Sequence, residues 1–165
     1  MTEDDDRPLL FLDVDGTVIP FGRHNSNKAA TAAAEPYLAG IDPTLGDRLT
    51  GFPCALVWAT TWEDHANTVL APLLGLPRLP VVRWPAPSSA DEREDRWWNL
   101  HWKTRALTTW AGGRPFVWVD DEITGADIDW VAARHPGRAL LHPVDAAKGL
   151  THRDLATLDV WFRQA

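Results

Sequence analysis

The chain has 165 residues, 45% of them hydrophobic and 24% charged, and a formal net charge of −7. This length and composition suit one globular domain, so we expect a single domain over residues 1–165 with an acidic, flexible N-terminus over residues 1–7. The acidic balance disfavours nucleic acid as a partner, because phosphate backbones bind positive surfaces, although a local basic groove stays compatible with it.

Cysteine usage and the N-terminus restrict the class further. The single cysteine, Cys54, lies in an apolar run, which predicts a buried thiol and excludes an internal disulfide or a Cys-rich zinc site. The chain begins MTEDDD, unlike a signal peptide, and no apolar run reaches the roughly 20 residues that span a bilayer. We therefore expect a cytoplasmic protein with no membrane partner.

Five short apolar runs, separated by helical patterns, predict a parallel sheet. The runs are Pro8–Asp13, Ala55–Ala59, Val81–Trp84, Pro115–Val119 and Ala139–Leu141. Continuous apolar strands are typical of a sheet covered on both faces. The alternation predicts an α/β fold, a three-layer Rossmann-like domain with about five parallel strands.

Helix-start signals follow several of these strands. Capping-box patterns occur at Thr60 or Thr61, at Thr124 and at Thr151. Pro72 is expected to end or kink the first of these helices.

Two segments do not fit the alternation of strands and helices. Val18–Asp42 is predicted to be a long connection, partly helical over Lys28–Ala39, and Pro85–Asp95 a polar surface loop.

Acidic residues follow two of the predicted strands. Asp13 and Asp15 follow the first strand, and Asp120 and Asp121 follow the fourth. Parallel strands direct their carboxyl ends to one edge, where ligands bind, so these side chains should converge. Clustered carboxylates need a cation to coexist, and oxygen ligands suit Mg²⁺. Carboxylates with magnesium indicate phosphoryl chemistry.

A phosphate also needs hydroxyl and cationic donors. Thr60 ends the second predicted strand, and Thr61 is the alternative one position later. On a helix over residues 97–111, Lys103 shares the core-facing stripe with Leu100, Ala106, Leu107 and Trp110. A lysine there is costly without an anionic partner, so we expect Lys103 to face the aspartates and a bound phosphate.

Four motifs, in order along the chain, resemble those of the haloacid dehalogenase (HAD) superfamily of phosphatases. They are FLDVDGT (Phe11–Thr17), ALVWAT (Ala55–Thr60), HWKTRAL around Lys103 and VWVDDE (Val117–Glu122). The short chain and the Trp-rich stretches WATTW and WVDDE are similar, more loosely, to the HAD domain of bacterial RNA repair proteins.

The resemblance implies catalytic and metal-binding roles for the four aspartates. Asp13 would be the nucleophile that forms an aspartyl-phosphate, and Asp15 the general acid and then base. Mg²⁺ would be held by the Asp13 carboxylate, the Asp15 backbone carbonyl and Asp120, with Asp121 as an outer or water-mediated ligand. Relatives that cleave carbon–halogen bonds lack the second acid, so Asp15 favours phosphate esters.

Phosphate binding and the absence of a cap follow from the same resemblance. Thr60 and Lys103 would bind phosphate, and Gly16 would permit a turn that brings the backbone close to it. Neither insert reaches the roughly 40 residues of an independently folding unit, which implies no full cap domain and an open site for a large phosphorylated substrate or a covering partner. The first insert offers Arg23, His24 and Lys28 to an anionic substrate.

Simpler interpretations compete with some of these roles. A calcium loop counted from Asp13 would need Gly at Val18 and an acid at His24, and so fails. Asp120–Asp121 is also compatible with a turn or helix cap, and Lys103 with a side chain that extends to solvent.

The tryptophans and the function keep alternatives of their own. Trp98 and Trp102 either pack under the Pro85–Asp95 segment, which we favour, or form an exposed contact surface. The alternatives to a phosphomonoesterase are a nucleic-acid end phosphatase of the repair type and a low-turnover binding module. No oligomeric state is predicted.

Overall fold

A four-stranded parallel sheet forms the centre of the computed structural model, which describes residues 6–22 and 36–164. The strands are β1 (Leu9–Leu12), β2 (Ala55–Trp58), β3 (Phe116–Asp120) and β4 (Ala139–Pro143). Their order is β2-β1-β3-β4, and each neighbouring pair is parallel. Every residue of β1 and β3 is buried, as the continuous apolar runs predict.

The expectation of about five strands is corrected to four. In the predicted strand Val81–Trp84, only Val81 forms a bridge, with Trp58 at the edge of the sheet. Pro80 precedes it without a backbone N–H and Pro85 follows it. Arg83 turns instead toward two carboxylates at the start of the preceding helix. Two prolines so close together limit the ladder that this segment can form.

Helices cover both faces of the sheet, which confirms the three-layer α/β class. They are α1 (Leu45–Thr50), α2 (Asp64–Leu74), α3 (Ser89–Trp98), α4 (Thr104–Ala111), α5 (Gly125–Arg134) and α6 (His152–Arg163), with a 3-10 helix at Pro36–Gly40. Buried residues of α1, α2 and α6 share a cluster with Leu10 and Leu12, whereas those of α4 and α5 pack with Leu9 and Phe11. Alternate residues of β1 therefore face the helical layers on opposite sides of the sheet.

The segment before Lys103 differs from the prediction. Pro85–Asp95 is not a loop throughout, because Ser88 accepts a 3.1 Å hydrogen bond from the Asp91 amide and starts α3 at Ser89. The predicted helix over residues 97–111 is interrupted at Asn99, whose φ of 53° lies in the left-handed region. The helix resumes as α4 at Thr104. No residue of α3 is buried, so the hydrophobic pattern alone gave no sign of it.

Of the predicted capping boxes, those at Thr124 and Thr151 form, whereas none forms before α2. Capping boxes are present at Thr124, with Asp127, and at Thr151, with Asp154. Neither the Thr60 nor the Thr61 pattern forms one. The Thr60 hydroxyl accepts from the amide of Trp62 two residues later, and the N-cap residue of α2 is Glu63, with no side-chain cap.

The proline predicted to end or kink α2 does not end the helix at its own position. Pro72 is inside α2, which ends two residues later at Leu74, and Gly75 follows in the left-handed conformation.

The first insert is described only at its two ends. Arg23, His24 and Lys28 lie outside the described residues, as do most of the Lys28–Ala39 segment and residues 1–5. Within residues 6–22 and 36–164, nothing folds into a separate cap over the sheet. The described helices include none that is long and apolar enough to cross a bilayer.

Candidate active site

Three carboxylates meet where β1 and β3 end. Chain order reverses between these two strands, and the Asp13 amide donates to the Val119 carbonyl at 3.2 Å, so the strand ends lie side by side. One carboxylate oxygen from each of Asp13, Asp120 and Asp121 lies within 4.8 Å of the others. Asp13 and Asp120 are buried. The predicted convergence of the strand-end acids is therefore observed for these three.

Lys103 supplies the positive charge of the cluster. Its Nζ atom lies 2.7 Å from Oδ1 of Asp13 and 2.7 Å from Oδ2 of Asp120. The residue is only 4% exposed, so the alternative of a side chain that extends to solvent does not hold. Lys103 is the N-cap residue of α4 rather than a residue within a longer helix.

The electrostatics of the cluster reflect burial and crowding. Burial raises the pKa of Asp13 to about 7, with the Asp120 charge adding to the rise and Lys103 opposing it. The pKa of Asp121 is also raised, first by burial and then by repulsion from Asp120. Burial lowers the pKa of Lys103, but attraction to Asp13 and Asp120 outweighs burial and leaves the pKa raised. The lysine therefore stays charged at neutral pH.

Asp127 anchors the loop that carries Lys103, a role not predicted from the sequence. It is fully buried, and its Oδ2 atom completes the capping box with Thr124. Its Oδ1 atom accepts from the His101 amide at 2.8 Å and from the Thr104 hydroxyl at 2.6 Å. One carboxylate thus fixes the chain on both sides of Lys103. The capping-box pattern identified only its local partner.

Asp15 lies apart from the three-carboxylate cluster. Its side chain is exposed, and Oδ2 accepts a 3.0 Å hydrogen bond from Nε1 of Trp62. Gly16 has a φ of 77°, and a Cβ atom there would lie 2.7 Å from Cγ of Asp121. A glycine is therefore needed for the turn and for the close approach of Asp121. The sequence predicts a glycine turn at this position, with the backbone close to a bound phosphate. In the structure the group that lies close to Gly16 is the carboxylate of Asp121.

Two buried threonines, one after β2 and one after β1, offer hydroxyl groups at this edge of the sheet. Thr60, at the end of β2, is buried, whereas Thr61 is exposed, so the structure favours Thr60 as the inward-facing residue. Thr17 is a second hydroxyl that the sequence did not single out, and it donates to Oδ2 of Asp13 at 3.3 Å.

The donor set fits Mg²⁺. Asp13, Asp120 and Asp121 offer only oxygen atoms, which a hard divalent cation prefers. Lys103 offsets one of the three negative charges, so the cluster retains an excess that a cation would neutralise. The side chain of Asp15 is not part of this set.

Trp98 and Trp102 are neither fully packed under the Pro85–Asp95 segment nor fully exposed as a contact surface. Trp98 is 42% exposed, and Cζ of Arg134 lies over its ring, 5.4 Å from the ring centroid. Trp102 is 49% exposed and meets Trp84 edge to face, with centroids 4.7 Å apart. Each ring has protein contacts and keeps about half of its surface free.

Comparison with known families agrees with this arrangement. A family model for the HAD domain in Swiss Army Knife RNA repair proteins matches residues 9–155. The chain belongs to this family. The match confirms both resemblances noted in the sequence, to the HAD superfamily and to the HAD domain of RNA repair proteins. Membership in this HAD family supports a hydrolase of the phosphatase type. Comparison with curated proteins found no match.

Proposed function

We propose that this protein is a Mg²⁺-dependent phosphatase that hydrolyses a phosphomonoester through an aspartyl-phosphate on Asp13. The observation that carries the proposal is the meeting of Lys103 with Asp13 and Asp120, both at 2.7 Å, although the three residues come from separate segments. A buried charged group of this kind is costly and needs compensation, as is typical of catalytic sites.

The first chemical step forms the covalent intermediate. A carboxylate oxygen of Asp13 attacks phosphorus, and the bond from phosphorus to the ester oxygen breaks. Asp15 donates its proton to the departing oxygen, which leaves as an alcohol. Thr60 and Lys103 hold the phosphoryl oxygens. When bound by Asp13, Asp120 and Asp121, Mg²⁺ would stabilise the negative charge of the phosphoryl group.

The second step releases phosphate. Asp15, now ionised, takes a proton from a water molecule whose oxygen attacks phosphorus. The bond between phosphorus and Asp13 breaks and inorganic phosphate leaves. Both aspartates return to their starting protonation states, so the cycle consumes only water and ester.

A panel assay tests this proposal. Phosphate release from sugar phosphates, nucleotides, phosphopeptides and phosphorylated oligonucleotides is measured with Mg²⁺ and with EDTA. We expect metal-dependent release that falls below about a thousandth in Asp13→Asn. Asp159→Asn, on the surface of α6 and paired with Arg163, is the matched control and should keep full activity. Full activity in Asp13→Asn would refute the mechanism, and no release from any ester would favour the low-turnover binding module.

The second candidate is a phosphatase that acts on nucleic-acid ends. The family match to a domain of RNA repair proteins favours it. The absence of a cap among the described residues is compatible with a polymer end. The net charge of −7 opposes it. Release from glycerol phosphate, with none from 3′- or 5′-phosphorylated oligonucleotides, would eliminate this candidate.

A further inference from the structure

A groove beside the phosphate-binding residues has no role in the mechanism above. It encloses about 770 Å³ between α3, α4 and the segment over residues 83–87, a volume typical of small-molecule sites. Three tryptophans line it, Trp84, Trp102 and Trp110, and all three are partly exposed. Exposed aromatic faces in a concave site suit a planar ring.

The groove adjoins the proposed phosphate site, because two of its lining residues contact Thr60 and Lys103. Nε1 of Trp84 donates to the carbonyl of Thr60 at 3.1 Å, and Nζ of Lys103 lies 5.5 Å from the centroid of the Trp102 ring. The two rings contact each other edge to face. A ring bound against them would therefore lie beside a phosphate held by Thr60 and Lys103.

Arginines and acids both line the groove, so its charge does not exclude a polyanion. Contacts with the aromatic rings are expected to contribute most of the binding free energy. Arg105 is paired with three carboxylates of α3, and two of them, Asp91 and Asp95, line the groove. Arg96 lines the groove with no carboxylate of the described residues within salt-bridge distance. Glu92 is also exposed at the rim, so the surface is not strongly basic. Stacking rather than net charge is the expected source of affinity.

We infer that this groove binds the nucleobase of the nucleotide that carries the scissile phosphate. The inference rests on the proposed phosphatase function and deepens its nucleic-acid candidate. Bases of every type present a flat face, so this recognition should tolerate sequence. The base would orient the terminal phosphate toward Asp13, which makes the groove a determinant of substrate choice.

Matched oligonucleotides test the inference. One short phosphorylated oligonucleotide carries a base on its terminal nucleotide, and its twin carries an abasic sugar there, each made with a 3′- or a 5′-phosphate. We expect kcat/KM to favour the base-bearing end by about tenfold, the order that stacking on an aromatic side chain supplies. Trp102→Ala should bring that ratio close to one. Trp97→Ala, 84% exposed on α3 and outside the groove, should leave it unchanged.

The outcomes separate the inference from the proposed function. Equal kcat/KM for the two ends in the wild type would overturn the inference while phosphatase activity stands, and this comparison needs no variant that has to fold. A preference for a phosphotyrosine peptide over both oligonucleotides would assign the groove to another aromatic group and equally overturn it. No phosphate release from any ester would instead refute the proposed function.

Discussion

Nε1 of Trp62 donates a hydrogen bond of 3.0 Å to Oδ2 of Asp15, the proposed general acid. Asp15 is exposed, so its carboxylate would otherwise rotate freely. Trp62 is itself partly buried against the core, and the following residue, Glu63, has a φ of 47° that fixes the turn. The indole therefore acts as a positioning group for the proton transfer.

Trp62→Phe should lower kcat on the order of tenfold while KM changes little, because the hydrogen bond that orients Asp15 is lost. The deficit should be larger for an alkyl phosphate than for p-nitrophenyl phosphate, whose leaving group needs little protonation. Trp161→Phe, another half-buried indole packed on the same core cluster, is the control. An equal deficit for both esters would indicate a structural role only.

Removal of Lys103 should destabilise the fold. Lys103→Met leaves Asp13 and Asp120 buried without their shared cation, which costs about 3–5 kcal/mol. The loss, measured by urea unfolding in EDTA, should become smaller in saturating Mg²⁺, since the ion supplies positive charge to the same carboxylates. Lys148→Met removes an exposed lysine beside Asp145 and should change stability little. A Lys103→Met protein as stable as the wild type would contradict this account.

Two capping boxes of the same design allow the anchoring role of Asp127 to be isolated. Asp127→Ala and Asp154→Ala each remove the acid of a capping box, at α5 and α6, and each should cost about 1 kcal/mol or more. Asp127→Ala also releases His101 and Thr104, on either side of Lys103, and should lower phosphatase activity. Similar activity in the two folded variants would show that the loop holds Lys103 without Asp127.

The sequence predicted the parts of the site that follow directly from strand ends. Asp13 and Asp120 converge because β1 and β3 pair in parallel, and hydrophobic pattern alone located both strands. The hydrogen bonds of Asp127 to His101 and of Trp62 to Asp15 span 26 and 47 residues. No local pattern carries information on such contacts.

Each error in the secondary-structure prediction has a specific physical cause. The apolar period continues past Asn99, and so it concealed a break that a left-handed Asn permits. The β-prone run that begins at Val81 forms only one bridge, because the prolines that flank it limit its backbone hydrogen bonds. Helix α3 was missed because ion pairs from Arg105, rather than buried apolar residues, hold it against α4. In each case a tertiary or backbone constraint outweighed the pattern.

Gly16 offers a test of the metal site that does not alter any proposed ligand. Gly16→Ala places a Cβ atom 2.7 Å from Cγ of Asp121 and in a left-handed backbone position, so Asp121 must move. Gly75→Ala is the matched control, since its φ of 66° brings the same backbone cost with nothing within 4 Å of the added atom. Both variants should lose about 1–2 kcal/mol of stability.

Only Gly16→Ala should also weaken Mg²⁺ binding. The rise in Tm with Mg²⁺ concentration reports that affinity, because an ion that binds the folded state alone stabilises it. We expect the Mg²⁺ concentration at which this rise begins to be higher in Gly16→Ala and to stay at the wild-type value in Gly75→Ala. An unchanged onset in Gly16→Ala would mean that Asp121 does not contribute to the ion's binding. A wild-type Tm that is insensitive to Mg²⁺ would argue against a magnesium site at these three carboxylates altogether.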